Sequence, residues 1–141
     1  MLNVLVPVDG SDASTRALKT AVDILTGKPE ATLHVLAVPT PIVSGNLKRF
    51  FSEDVLQAYY QDEGSNALLP ARAVLANSPL NVKESIIAGN AAQTIKEYVD
   101  NNNIDHIVMG TRGLSALPGL VLGSVTTKVL SLVKVPVTLI K

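Results

Sequence analysis

Ile104-Asp-His-Ile-Val-Met-Gly110-Thr-Arg-Gly113-Leu-Ser-Ala-Leu-Pro-Gly-Leu-Val-Leu-Gly123-Ser124 is the stretch from which the fold is read. Ile104 to Met109 is an apolar run of strand character, the glycines follow at its carboxyl end, and Ser124 opens a helical pattern that runs to about Val133. Glycine at a strand end removes a Cβ where a ligand's polar groups approach the backbone. A serine at a helix start leaves N–H groups facing outward for an anion. The functional reading is a phosphate cradle; the plainer one is a glycine-rich connection that turns tightly. Spacing alone leaves both open.

Upstream, the same alternation repeats. Leu2 to Val8 is a short strand pattern stopped by Asp9-Gly10-Ser11-Asp12, and Ser11 or Asp12 is placed to cap a helix whose apolar face is Ala17, Leu18, Ala21, Val22 and Leu25. Gly27-Lys-Pro29 ends that helix, and Ala31 to Val38 is the second strand. After an irregular stretch through Pro39, Pro41 and Ser44-Gly45-Asn46, Leu47 to Ala76 reads as helical, with Phe51, Val55, Tyr59, Ala67, Ala71 and Val74 as its inner face. Gly64 and Pro70 predict a kink or break within it. Val82 to Ala88 is the third strand, Ala91, Ile95, Tyr98 and Val99 mark a helix ended by Asn101-Asn-Asn103, and Val135 to Ile140 is the fifth strand, entered through Pro136. Strands alternating with helices predict an α/β fold with a mainly parallel sheet and right-handed crossovers.

Composition narrows the function. A chain of 141 residues fits one domain, 1–141, and 47% hydrophobic content supports a packed core. Twelve basic residues balance twelve acidic ones, so the broad basic footprint needed by nucleic acid is missing. Without cysteine there is no disulfide, thiolate metal site or cysteine nucleophile. No apolar run approaches the roughly 20 residues of a membrane span and no basic leader opens the chain, so a cytoplasmic protein is expected. The P-loop pattern, the dinucleotide pattern after the first strand and the G-x-S-x-G nucleophile elbow are all missing, and no catalytic dyad stands out. His34 and His106 each lie on a strand with no second ligand at metal spacing.

Open α/β sheets bind ligands at the carboxyl edge, where the strand order switches. Gly110 and Gly113 lie there, and Gly123-Ser124 adds the positive end of a helix dipole. Arg112 is the loop's only charge, available to neutralise phosphate or simply solvated. Asp9, at the end of the first strand, would face the same crevice if strands one and four are neighbours; alternatively it accepts hydrogen bonds within its own turn. The remainder of the loop is apolar, with Leu114, Ala116, Leu117, Leu120, Val121 and Leu122, and some of it is expected to pack on the domain or a partner subunit.

Gly110-x2-Gly113-x9-Gly123-Ser124 resembles the G-x2-G-x9-G-[ST] motif of the ATP-binding branch of the universal stress protein family. Val6-Pro-Val-Asp9-Gly-Ser11, Leu33-His-Val35, Gly89 and Val135-Pro-Val-Thr-Leu-Ile140 extend the resemblance along nearly the whole chain. It implies an open five-stranded, mainly parallel sheet in the order 3-2-1-4-5 with helices on both faces, a Rossmann-like nucleotide-binding fold. It also implies ATP (or AMP or ADP) as ligand, with Mg or Mn, if present, riding on the phosphates near Asp9. Pro7, Val8 and Asp9 would border adenine and ribose, and Val35 would meet adenine through its backbone. Gly110, Arg112 and Gly113 would line ribose and phosphates, and Gly123, Ser124, Val125 and Thr126 would hold the phosphates. A homodimer through the last strand is the implied assembly, and the expected role is a stress-linked regulator. The alternatives are a slow ATPase or self-phosphorylating protein, and a nucleotide-free interaction module.

Overall fold

The computed structural model describes residues 1–42, 45, 49–114, 119 and 121–141. In chain order the elements are β1 (Asn3–Pro7), α1 (Asp12–Leu25), β2 (Thr32–Ala37), α2 (Glu53–Leu75), β3 (Asn81–Ile86), α3 (Ala91–Asn101), β4 (His106–Gly110), α4 (Ser124–Leu132) and β5 (Val137–Ile140). The strands form one five-stranded sheet in the order β3-β2-β1-β4-β5 with every pair parallel, as the resemblance implies. β5 starts after Pro136, which has no N–H to donate but whose carbonyl accepts Ile107 N at 3.0 Å.

Strand periodicity splits the core into two layers. Val4, Val6, Leu33, Val35, Ala37 and Val108 pack with Ala17, Leu18, Ala21 and Leu25 of α1 and with Leu68 and Ala71 of α2. On the other face Leu5, Leu36, Ile107 and Met109 pack with Ala92, Ile95, Tyr98 and Val99 of α3 and Val129 of α4. The central strands are covered on both sides, which is why they read as unbroken apolar runs.

The reading of α2 needs correction. The helix is continuous through Gly64 and Pro70, and its buried row is Leu56, Tyr60, Gly64, Leu68 and Ala71; of the expected inner face Ala67, Ala71 and Val74 pack on the core, whereas Phe51, Val55 and Tyr59 are exposed. Gly64 is no breaker here. It lets the helix approach β3 so closely that a Cβ would overlap Ile86 Cγ2. Leu47, the expected start, lies outside the described residues; the helix begins after Ser52, whose Oγ accepts Val55 N at 3.3 Å. No helix among the described residues is long and apolar enough to cross a membrane.

Candidate functional site

The chain moves outward from β1 to β2 and β3, then returns to lay β4 on the opposite side of β1. That reversal leaves a crevice beyond the carboxyl ends of β1 and β4. The β1–β4 register covers Val4 with His106 and Leu5 with Ile107, so the strands part before Pro7 and Gly110. A cavity of about 260 Å³ occupies the opening. It is lined by Pro7, Val8, Asp9, Ser14, Leu36, Val38, Ala91, Ile95, Met109, Gly110, Arg112, Gly113, Gly123, Ser124, Val125 and Thr126.

Ten of the eleven residues singled out from sequence meet here: Pro7, Val8, Asp9, Gly110, Arg112, Gly113, Gly123, Ser124, Val125 and Thr126. Val35 does not. It is fully buried in the layer that faces α1 and α2, and its neighbours Leu36 and Val38 line the cavity instead. The lining residues missed were Ser14, Leu36, Val38, Ala91, Ile95 and Met109; strand parity would have found Leu36 and Val38, since alternate β2 residues face opposite layers.

The four helices assigned among the described residues treat their first turns differently. Ser11 Oγ accepts Ser14 N at 3.2 Å on α1, Ser52 caps α2, and Asn90 Oδ1 accepts Gln93 N at 3.1 Å on α3. At α4 the N-cap is Gly123, with no side-chain acceptor, and Ser124 is the first helical residue rather than the cap. The leading N–H groups of α4 therefore face the cavity without a side chain to satisfy them, the arrangement that suits an anion. Two hydrogen bonds fix this end: Gly123 N donates to Thr111 O at 2.7 Å and Thr126 Oγ1 to Gly110 O at 3.0 Å. The opposite wall, with Leu36, Val38, Ile95 and Met109, is apolar.

Asp9 plays both parts foreseen for it. It borders the cavity, and it also serves its own turn, with Oδ1 accepting Ser11 N at 2.9 Å. Oδ2 accepts Leu114 N from the glycine-rich loop at 3.1 Å. The glycines also answer to packing within the protein. A Cβ on Gly110 would press on Ala13 Cβ at 3.0 Å, one on Gly123 would meet Arg112 Cα at 3.3 Å, and one on Gly113 would overlap Asp9 Oδ2. These bare faces lie close against protein atoms while the same glycines border the cavity. Of the loop's apolar residues, Leu114 and Val121 are exposed rather than packed on the domain, Leu122 is half-buried, and Ala116, Leu117 and Leu120 lie outside the described residues.

Neither histidine lines the cavity. His34 is buried against Tyr98 and Asn3, and His106 Nε2 lies 2.7 Å from Thr138 Oγ1. Among the described residues no group of three or more His, Asp or Glu side chains gathers as a metal site. Among the described residues Asp9 is the one carboxylate lining the cavity, so these residues fit a divalent ion only as a companion of a ligand's phosphates.

Fold and cavity together define an open parallel α/β protein with a crevice at the strand switch point. The whole chain, residues 1–141, matches the universal stress protein family, and the protein belongs to that family. It is 30% identical to universal stress protein YxiE of Bacillus subtilis, the match covering 98% of this chain and 97% of the relative. The solved structure of MJ0577, a Methanocaldococcus jannaschii protein, superposes with a TM-score of 0.85 at 26% identity over 99% of this chain and 95% of that one. A universal stress protein solved in complex with cAMP superposes with a TM-score of 0.68 at 28% identity, covering 99% of this chain and 97% of that one.

Proposed function

We propose that residues 1–141 form one domain that binds an adenine nucleotide in the crevice between β1 and β4. The observation that carries this reading is a cavity of about 260 Å³ with an apolar wall at one end and the uncapped start of α4 at the other. A purine base fits the Leu36, Val38, Ile95 and Met109 wall, and phosphate suits the N–H groups of Ser124, Val125 and Thr126. Asp9 repels phosphate, so a ribose, whose hydroxyls can donate to a carboxylate, belongs beside it. The volume lies just below the usual range for ligand pockets, roughly 300–1,000 Å³, which suits one nucleoside with its phosphates reaching over the rim. The cAMP complex of a relative supports an adenine ligand.

ATP is the member of the class implied by the resemblance of Gly110-x2-Gly113-x9-Gly123-Ser124 to the family's ATP-binding motif, with Mg or Mn carried on its phosphates. The proposed role is that of a cytoplasmic, stress-linked regulator whose occupancy alters dimer or partner contacts. β5 is an edge strand with four apolar or half-buried residues, Val137 to Ile140, and its free edge suits pairing with a second copy. Isothermal titration with ATP, ADP, AMP and cAMP, with and without magnesium, tests the ligand. Saturable binding is expected, and no heat from any of the four at millimolar concentration overturns the reading. Sedimentation with and without nucleotide tests the dimer.

A further inference from the structure

We propose that Asp9 is a positioning residue that clasps the two lips of the cavity, and that this clasp is what requires glycine at position 113. One lip is the turn from β1 into α1. There Asp9 Oδ1 accepts Ser11 N at 2.9 Å, and Gly10 adopts φ +83°, a left-handed conformation that lets the turn close. The other lip is the loop leaving β4. Leu114 N donates to Asp9 Oδ2 at 3.1 Å across 105 residues of sequence. Each carboxylate oxygen thus holds one lip, and Asp9's own N–H, 3.4 Å from Ser14 Oγ, ties the residue to α1.

The Leu114 side chain is 72% exposed, so packing does not hold that position. The hydrogen bond to a charged acceptor is the stronger kind, and it holds the loop where Arg112 and Gly113 border the cavity. Gly113 presents its bare face to Asp9 Oδ2, where any Cβ would overlap the oxygen. A side chain at 113 therefore breaks the clasp from the loop's side as surely as loss of the carboxylate breaks it from the turn's side. Because both lips line the cavity, a ligand that touches both binds more tightly to the clasped form and in turn holds the clasp closed, by the same factor in each direction. This coupling rests on the cavity being the ligand site; the clasp itself does not.

A double-mutant cycle on the ligand-free protein tests it, using Asp9→Ala, Gly113→Ala and their combination. Two rates are read: exchange of the Leu114 amide by NMR, and trypsin cleavage after Arg112 under native conditions. Each single substitution is expected to raise both rates about tenfold, and the double variant to be no faster than the quicker single, since only one clasp exists to break. Asp9→Asn, which keeps the shape of the side chain and loses its charge, is expected to raise both rates by less and serves if Asp9→Ala fails to fold. Rates unchanged in the single variants, or multiplying in the double, overturn the clasp. With ATP as probe, Gly113→Ala is expected to weaken binding when Asp9 is present and to add nothing in the Asp9→Ala background. Absence of ATP binding to the parent protein would count against the nucleotide reading and leave the exchange result to decide the clasp.

Discussion

His34 Nδ1 lies 2.7 Å from the hydroxyl oxygen of Tyr98, a bond that ties β2 to α3 beneath the sheet. On its other side His34 Nε2 faces Asn3 Oδ1 at 3.2 Å. An amide oxygen can only accept, so Nε2 carries the proton, and in the neutral ring Nδ1 accepts from Tyr98. Burial, and then the charge of Lys83 on β3, hold the His34 pKa below its ordinary 6.5. The unfolded chain therefore binds a proton that the folded chain refuses. The stability His34 contributes is complete above pH 6.5 and is lost as the pH falls below that value, until the folded ring also protonates. Urea midpoints measured from pH 7.5 down to about 5.5 should fall, with a slope from this one group of at most about 1.4 kcal/mol per pH unit. His34→Gln should remove that component of the slope; an unchanged slope would show that His34 does not drive it.

Gly64→Ala should reverse the usual rule for helices. Alanine in place of an interior glycine ordinarily stabilises by about 1 kcal/mol. Here the new methyl would overlap Ile86 Cγ2 and lie 2.9 Å from Cγ1, on a β-branched side chain with little rotameric escape. Net destabilisation of about 1–3 kcal/mol is expected in thermal or urea unfolding. Ile86→Ala in the same chain should recover part of it, because the colliding atoms are gone. A more stable Gly64→Ala protein would mean that α2 and β3 can move apart without cost.

These two residues also show how far the sequence could be read. Strand and helix alternation was visible because each central strand is covered on both faces and each of α1 and α3 shows one apolar stripe. Strand order came from the resemblance, since periodicity within a strand says nothing about its neighbours. On α2 the reading holds for Ala67, Ala71 and Val74 and fails at the amino-terminal end, where two rows at the same spacing lie side by side. Phe51, Val55 and Tyr59 form the more apolar row, while the buried row contains Gly64, a residue with no hydrophobicity to advertise close approach. Around the cavity, spacing reports that a Cβ is missing, and only the fold shows that Ala13, Asp9 and Arg112 are what it would meet. Val35, whose expected contact is through its backbone, keeps its side chain in the opposite layer by strand parity and does not line the cavity.

Thr126→Val should loosen the junction of β4 with α4. The Thr126 hydroxyl is buried and donates to Gly110 O at 3.0 Å, at the point where the strand gives way to the loop. Valine keeps the shape and removes the donor, leaving a carbonyl in a largely buried place without that partner. A loss of about 1–3 kcal/mol is expected in urea unfolding. Thr126→Ser, which keeps the donor and removes a methyl, should lose less. If serine costs more than valine, packing rather than the hydrogen bond secures this corner.

Gly123→Asp separates what α4 needs for stability from what a ligand needs of it. The position already has N-cap geometry, with φ −74° and ψ 166°, which any residue adopts without strain. An aspartate there can accept from the N–H groups of the first turn and place its charge on the positive end of the helix dipole. Its Cβ would sit 3.3 Å from Arg112 Cα, a tight contact with backbone that has to give by a few tenths of an ångström. Folding stability should therefore change little or rise by a few tenths of a kcal/mol, the usual difference between glycine and a better cap. Nucleotide binding should fall by a factor of about ten or more, because the new carboxylate takes the donors that phosphate would use and repels it as well. Gly123→Ser, which caps without charge, should weaken binding less. Calorimetric titration beside thermal unfolding gives both quantities from one preparation. Undiminished affinity in a stable Gly123→Asp protein would show that the phosphates lie elsewhere than on the start of α4.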